Sequence, residues 1–131
     1  MRIKNEAGEI IKAGCIVIEG DKILLITTKD RSVWAYPKGH IEPEEDAIDA
    51  ARRETLEETG HEVKIIRRLE DLTYRKADSN EPVRVAMFLA SPIRKVTDAT
   101  EEIWEWIPVE DARGLVLPNL RLYLEDHNLK G

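Results

Sequence analysis

GHIEPEEDAIDAARRETLEETGH, residues 39–61, is the stretch on which the reading of this chain turns. It packs Glu54, Glu57 and Glu58 into five residues, with Arg53 directly before them, Glu45 upstream and a glycine toward each end. Pro43 followed by Glu44, Glu45 and Asp46 is an acid-rich helix start, and Gly60 is a stop. A helix is therefore expected from about Glu45 to Thr59. Residues three and four apart share a helix face, so the three glutamates fall within about 100° of arc. Ala50 and Ala47, one and two turns upstream, are expected to leave open space before them. Ile48, Ala51 and Thr55 are expected to pack against a sheet. Clustered carboxylates repel one another unless cations neutralise them, and hard oxygen donors suit magnesium or manganese. Three glutamates alone would more often be an ordinary solvated face.

On either side of this helix the chain reads as strands. Ile10 to Glu19 is apolar and β-branched, Gly20-Asp21 is a hairpin turn, and Lys22 to Thr28 returns. Lys29 to Glu42 reads as a loop. Val63 to Lys76 reads as one long strand, residues 77–81 as a polar turn, and Val83 to Ala90 as its partner. Ile103 to Ile107 is a short strand, with Trp104 and Trp106 expected on alternate faces. Pro108 to Ala112 opens a helical turn, and Asn119 to Asn128 is expected as a terminal helix. The order of elements predicts an α/β fold in one domain, residues 1–131, with a mixed sheet covered by helices on both faces.

Bulk properties narrow the function. The chain has 131 residues, enough for a core of its own, and a formal net charge of −6. An acidic chain has no general electrostatic hold on nucleic acid. Cys15 is the single cysteine, so an intrachain disulfide and a thiolate metal cluster are excluded. It sits in the apolar run 13–18, where a buried inert thiol is expected. The first residues carry no apolar signal core, and no window approaches ~18 consecutive apolar residues. A cytoplasmic location and no membrane partner are expected. Exposed strand edges would allow a homodimer.

Gly39, five residues, Glu45, seven residues, Arg53-Glu54, two residues, Glu57-Glu58, one residue and Gly60 together resemble the signature of the Nudix hydrolases. Two apolar positions of that signature differ, Thr55 and His61, and both concern packing more than metal chemistry. The resemblance implies an α/β/α sandwich around a mixed β-sheet and hydrolysis of a nucleoside diphosphate linked to another moiety. It implies that Glu54, Glu57 and Glu58 hold divalent cations, Mg²⁺ or Mn²⁺, helped by the main-chain carbonyl of Gly39. It implies that Arg53 orients the glutamates and pairs with Glu45. Eight residues of helix span about 12 Å, so Glu45 must lie where the chain folds back, at or before the helix start.

Pyrophosphate oxygens repel a nucleophile. Cations withdraw that charge and acidify a bound water, and a carboxylate takes its proton. Glu57 and Glu58 are candidates for this base, as is Glu102, with Glu101 its neighbour. A solvated loop is an equal reading of both. Trp34, Tyr36 and Tyr74 offer faces on which a base can stack, although core packing is the commoner role of such residues. Lys38, Arg75, Lys76 and Arg84 offer donors to phosphate. His40 offers a phosphate contact, His61 a cap or strand entry, and His127 a solvated helix end. The phrase from Trp34 to Glu42 is similar to the approach in Nudix hydrolases of dinucleoside polyphosphates and diphosphoinositol polyphosphates. The expectation is a small nucleotide substrate, leaning to a dinucleoside polyphosphate. Nucleoside triphosphate sanitising, a non-catalytic nucleotide-binding regulator and RNA end-processing are the other readings.

Overall fold

The computed structural model describes residues 3–130. β1 (Ile10–Glu19) and β2 (Lys22–Thr27) form a hairpin about Gly20, whose φ of 62° is left-handed. β3 (Trp34–Ala35), β4 (Lys38–His40), α1 (Ala47–Thr59), β5 (His61–Arg68), β6 (Leu72–Arg75), β7 (Pro82–Lys95) and β8 (Ile103–Pro108) follow. The chain ends in α2 (Val109–Leu115), a 3-10 segment (Pro118–Leu124) and the short α3 (Asp126–Leu129). Eight strands make one mixed sheet in the order β3-β2-β1-β7-β5, with β4 paired to β1, β6 to β7 and β8 to β2. β1 and β7 are parallel, and the other pairs are antiparallel.

Strand alternation splits the apolar residues between two cores. Ile10 and Ile16 of β1 and Val83, Val85, Met87 and Leu89 of β7 face the side covered by Ala112, Val116, Leu120, Tyr123 and Leu124. Ala13, Cys15 and Val17 of β1 and Ala86, Phe88 and Ala90 of β7 face α1 through Ala50 and Ala51. The small residues on the α1 side let that helix lie close to the sheet. This is the mixed sheet with helices on both faces that the element order predicts. Cys15 is buried, with its thiol pushed up to about 12 by burial. Among the described residues no helix is long and apolar enough to cross a membrane.

Several elements differ from expectation for identifiable reasons. The loop 29–42 contains β3 and β4, because Gly14 allows it to cross β1 closely. A Cβ on Gly14 would meet the Pro37 carbonyl, which instead accepts from the Cys15 N–H at 3.1 Å. The long strand 63–76 is broken at 69–71. Leu69 N–H donates to the Met87 carbonyl at 2.8 Å, while the Glu70 carbonyl leaves the ladder to accept from the Tyr123 hydroxyl at 2.6 Å. β7 runs past Ala90 to Lys95, pairing with β5 across register shifts. Trp104 and Trp106 share a face, as residues two apart in a strand must, and both rings pack nearly perpendicular to His61. The terminal helix is replaced by the 3-10 segment and α3. Side chains claim the carbonyls a continuous helix would use: Tyr36 takes Leu120, Asn128 takes Leu122 and Arg113 takes Leu124.

Candidate active site

The helix that carries the glutamates begins two residues later than expected. The Asp46 side chain accepts from the Asp49 N–H at 2.8 Å, capping α1, and leaves Glu45 in the turn before it. At the other end Gly60 takes φ 71° and donates to the Leu56 carbonyl at 2.8 Å. The chain after β7 returns to this end. Glu101 N–H donates to the Glu57 carbonyl at 2.9 Å and Glu102 N–H to the Glu58 carbonyl at 3.3 Å. The last helical carbonyls are thus satisfied by the loop that carries the downstream acids. Thr55 and His61 are buried. Thr55 bonds the Ala51 carbonyl at 2.8 Å, and His61 Nδ1 lies 2.7 Å from the Thr59 carbonyl.

The glutamate face is less open than its alanines suggest. Ala50 is fully buried against the sheet, whereas Ile48, expected to pack there, is 43% exposed. α1 is rotated so that Ala50, Glu54 and Glu58 run along β4 and β1. Glu58 is 8% exposed, and one of its oxygens accepts from the Lys38 N–H at 3.1 Å. The Glu54 carboxylate occupies the space a Cβ on Gly39 would fill. Glycine at position 39 therefore allows a carboxylate to lie flat against β4.

Arg53 organises the rest. Its guanidinium grips Glu45 with two bonds of 2.8 and 3.0 Å, reaches Glu54 at 2.8 Å and Glu57 at 2.7 Å, and donates to the His40 carbonyl at 2.9 Å. The Glu42 N–H binds the same Glu45 carboxylate at 3.0 Å. Arg53 holds Glu45 below the usual carboxylate range, and Glu45 and Glu54 hold the guanidinium protonated. Glu58 is the opposite case. Burial first, then the charges of Glu54 and Glu102, push its carboxyl up to about 8. Burial and the charges of Glu57 and Glu54 likewise raise Glu101. Among the described residues no three acidic, imidazole or thiol groups already converge on a point that would hold an ion. Arg53 shares its one positive charge among Glu45, Glu54 and Glu57 in this arrangement. The donor set is nonetheless suited to a hard divalent cation: it is all oxygen, it lies against a glycine cradle, and it includes an acid whose carboxyl is raised by burial and by neighbouring carboxylates.

A measurable consequence follows from Glu58. Its proton is bound more tightly in the folded than in the unfolded chain, so folding is favoured below the ordinary value of 4.5 and loses that contribution as pH rises toward about 8. In metal-free buffer the Tm is expected to fall between about pH 5 and pH 8.5, and Glu58→Gln is expected to flatten the slope. Magnesium is expected to raise Tm more at the upper end. Melting curves across this range check it, and a Tm that climbs toward pH 8.5 counts against it.

The remaining candidates divide. Lys38 and Tyr74 share a cleft of about 250 Å³ beside β4, and burial lowers the Lys38 ammonium. Glu102 stands at the C-terminal end of α1. Tyr36, expected to meet substrate, is a core residue. It is 1% exposed, edge-on to Tyr123, with its hydroxyl donating to the Leu120 carbonyl at 2.6 Å. Its face is closed to a stacking base. Trp34 is likewise buried, its Nε1 donating to the Arg31 carbonyl at 3.1 Å, and it lines the wall of the cleft. Arg84, expected at phosphate, is bound instead to Glu9 at 2.9 Å and Asp71 at 3.2 Å. Lys12 is not among the residues that sequence reasoning selects. Its Nζ donates to the Tyr74 hydroxyl at 3.2 Å, and the signal for it is a lone charge inside the apolar run 10–18.

A model of the NUDIX domain matches residues 9–126. A putative 8-oxo-dGTP diphosphatase of Bacillus subtilis (strain 168) is 46% identical over 46 residues, 35% of this chain and 31% of that protein. Phosphatase NudJ of Escherichia coli (strain K12) is 36% identical over 52 residues, 38% of this chain and 34% of that protein. These matches span about a third of the length of the curated relatives. An Ap4A hydrolase binary complex from C. elegans superposes with a TM-score of 0.71 at 27% identity, over 87% of this chain and 91% of that one. A NUDIX hydrolase from Nitrosomonas europaea gives a TM-score of 0.76 at 23% identity, over 89% and 86%, and speaks for the fold.

Proposed function

This chain belongs to the Nudix family, and we propose that residues 1–131 form one hydrolase domain that cleaves a nucleoside diphosphate linked to another moiety, with dinucleoside polyphosphates preferred. The observation that carries the reading is the set Glu54, Glu57 and Glu58, oriented by Arg53 and laid against Gly39. Those three carboxylates, with the Gly39 carbonyl, would hold Mg²⁺ or Mn²⁺. A cation there supplies charge withdrawal from phosphate oxygens and a more acidic water.

The chain's own residues do the rest. Arg53 fixes the directions of the Glu54 and Glu57 carboxylates, donating to both from one guanidinium nitrogen. Glu58, already able to carry a proton near neutral pH, is suited to accept one from the attacking water once positive charge neutralises its neighbours. Glu102 is the second candidate base, tied to the same helix end by its N–H. Lys38 and Tyr74 line the cleft that would receive the nucleoside side of the substrate. The preference for a dinucleoside substrate rests on the phrase Pro37-Lys38-Gly39-His40 and on the likeness to the Ap4A hydrolase. Nucleoside triphosphate is the second reading, favoured by the relative named for 8-oxo-dGTP.

The test is a panel of dinucleoside polyphosphates, normal and oxidised nucleoside triphosphates, and a short triphosphorylated RNA, each with magnesium and with products separated. Fastest turnover is expected on a dinucleoside polyphosphate. Tight nucleotide binding with no product under any divalent metal would instead make the protein a ligand-binding regulator. We place it in the cytoplasm with a small nucleotide as its partner.

A further inference from the structure

Lys12 is the sole charged side chain from Ile10 to Ile18, and the alternation of β1 puts it on the face of Ile10 and Ile16. An ammonium at such a position loses hydration and needs polar company. It has the Tyr74 hydroxyl at 3.2 Å, and its Nζ lies 5.9 Å from the centre of the Tyr74 ring. In the ladder Lys12 stands opposite His40 and Gly14 opposite Lys38. Lys12, Lys38 and His40 therefore share one side of β4, and Gly39 turns to Glu54 on the other. The first side leads into the cleft lined by Lys38, Leu72, Tyr74, Leu117 and Leu120. Lys12 and Lys38 thus stand on the cleft side of β4 and the Glu54 carboxylate on its other side, so an anion that reaches from one to the other passes these two ammonium groups.

We propose that Lys12 is a substrate-binding residue: with Lys38 it holds the phosphates lying between the glutamates and the cleft, and it positions Tyr74 for the group those phosphates carry. An ammonium carries a full charge and three donors, so its attraction to phosphate adds to the Tyr74 contact that it already makes. The contribution of Lys12 therefore grows with the number of phosphates in the substrate. This assignment rests on the hydrolase reading above and adds the residue that measures phosphate length.

The full chain carrying Lys12→Met is compared with wild type and Lys12→Arg. Binding of inorganic tripolyphosphate is followed by calorimetry, and kcat and KM are measured on substrates of increasing phosphate number. Lys12→Met is expected to weaken tripolyphosphate about tenfold or more and to raise KM by a similar factor, with kcat within about threefold. The KM penalty is expected to increase with each added phosphate, and Lys12→Arg is expected to stay near wild type. Mn²⁺ affinity is expected to be unchanged. If Lys12→Met does not fold, Lys12→Gln, which keeps a donor for Tyr74, carries the same expectations. A folded variant with wild-type tripolyphosphate affinity and KM overturns the assignment. If wild type turns over no nucleotide yet loses tripolyphosphate affinity on Lys12→Met, the hydrolase reading fails and the phosphate site stands.

Discussion

Replacing Glu57 and Glu58 together by glutamine is expected to lower kcat about a thousandfold or more at saturating magnesium, while the protein stays folded. The amide side chains keep the shape of the carboxylates and lose their charge and basicity. Fold retention follows from the local bonds. In Glu58→Gln the amide oxygen still accepts from the Lys38 N–H, and a group that burial already keeps protonated near neutral pH is exchanged for a neutral one. Glu57 loses an ion pair that is 39% exposed on the carboxylate side, worth at most about 1 kcal/mol. Circular dichroism and melting establish the fold, and initial rates on the best substrate of the panel give kcat. Full activity in this double variant would sink the mechanism. Single variants divide the roles. If Glu58→Gln carries most of the loss in kcat and Glu102→Gln little, the base is on α1; the reverse result moves it to the loop.

What can be read from sequence and what cannot both have physical causes. The spacing from Gly39 to Gly60 is informative because each position answers a local demand. Gly39 lets a carboxylate lie on β4, Gly60 takes a left-handed cap, and Glu45 must stand outside the helix to face Arg53. All three demands are met. β1 is legible to the residue because its two faces feed two cores. Interactions between elements distant in sequence are not legible. Tyr36 looks like a substrate residue by its place before the glycine loop, yet its hydroxyl is claimed by Leu120, 84 residues away. The break in the strand after Arg68 depends on Tyr123, and Arg84 is drawn off by Glu9 and Asp71. The rotation of α1 escapes a sequence reading because helical geometry says which residues share a face and not which face meets the sheet. Ala50 reveals it only in the fold. Lys12 is readable in principle as a charge in an apolar strand, but its meaning comes from β4, which pairs with β1, and from Tyr74 of β6.

Replacing Arg53 by methionine is expected to cost about 2–3 kcal/mol of stability in metal-free buffer, which for a chain of this size is a Tm loss of roughly 10 °C. The side chain is 26% exposed, while Glu45 and Glu54 are 15% and 13% exposed. Methionine keeps the apolar length and removes all five hydrogen bonds. It leaves two largely buried carboxylates and Glu57 with no shared counter-charge, so repulsion adds to lost bonding. Partial exposure of the guanidinium holds the figure below that for a fully buried pair. Arg53→Lys is expected to recover less than half of the loss, because one compact ammonium cannot span Glu45, Glu54, Glu57 and the His40 carbonyl. Magnesium is expected to stabilise Arg53→Met more than wild type, since a cation replaces part of the missing charge. In activity, Arg53→Lys is expected to lose about a hundredfold in kcat/KM at saturating magnesium, because the carboxylates lose their directions. Melting with and without magnesium, together with kinetics on the panel substrate, separates the two effects. A variant as stable and as active as wild type would mean that the glutamates are oriented by the fold alone, leaving Arg53 only a surface ion pair.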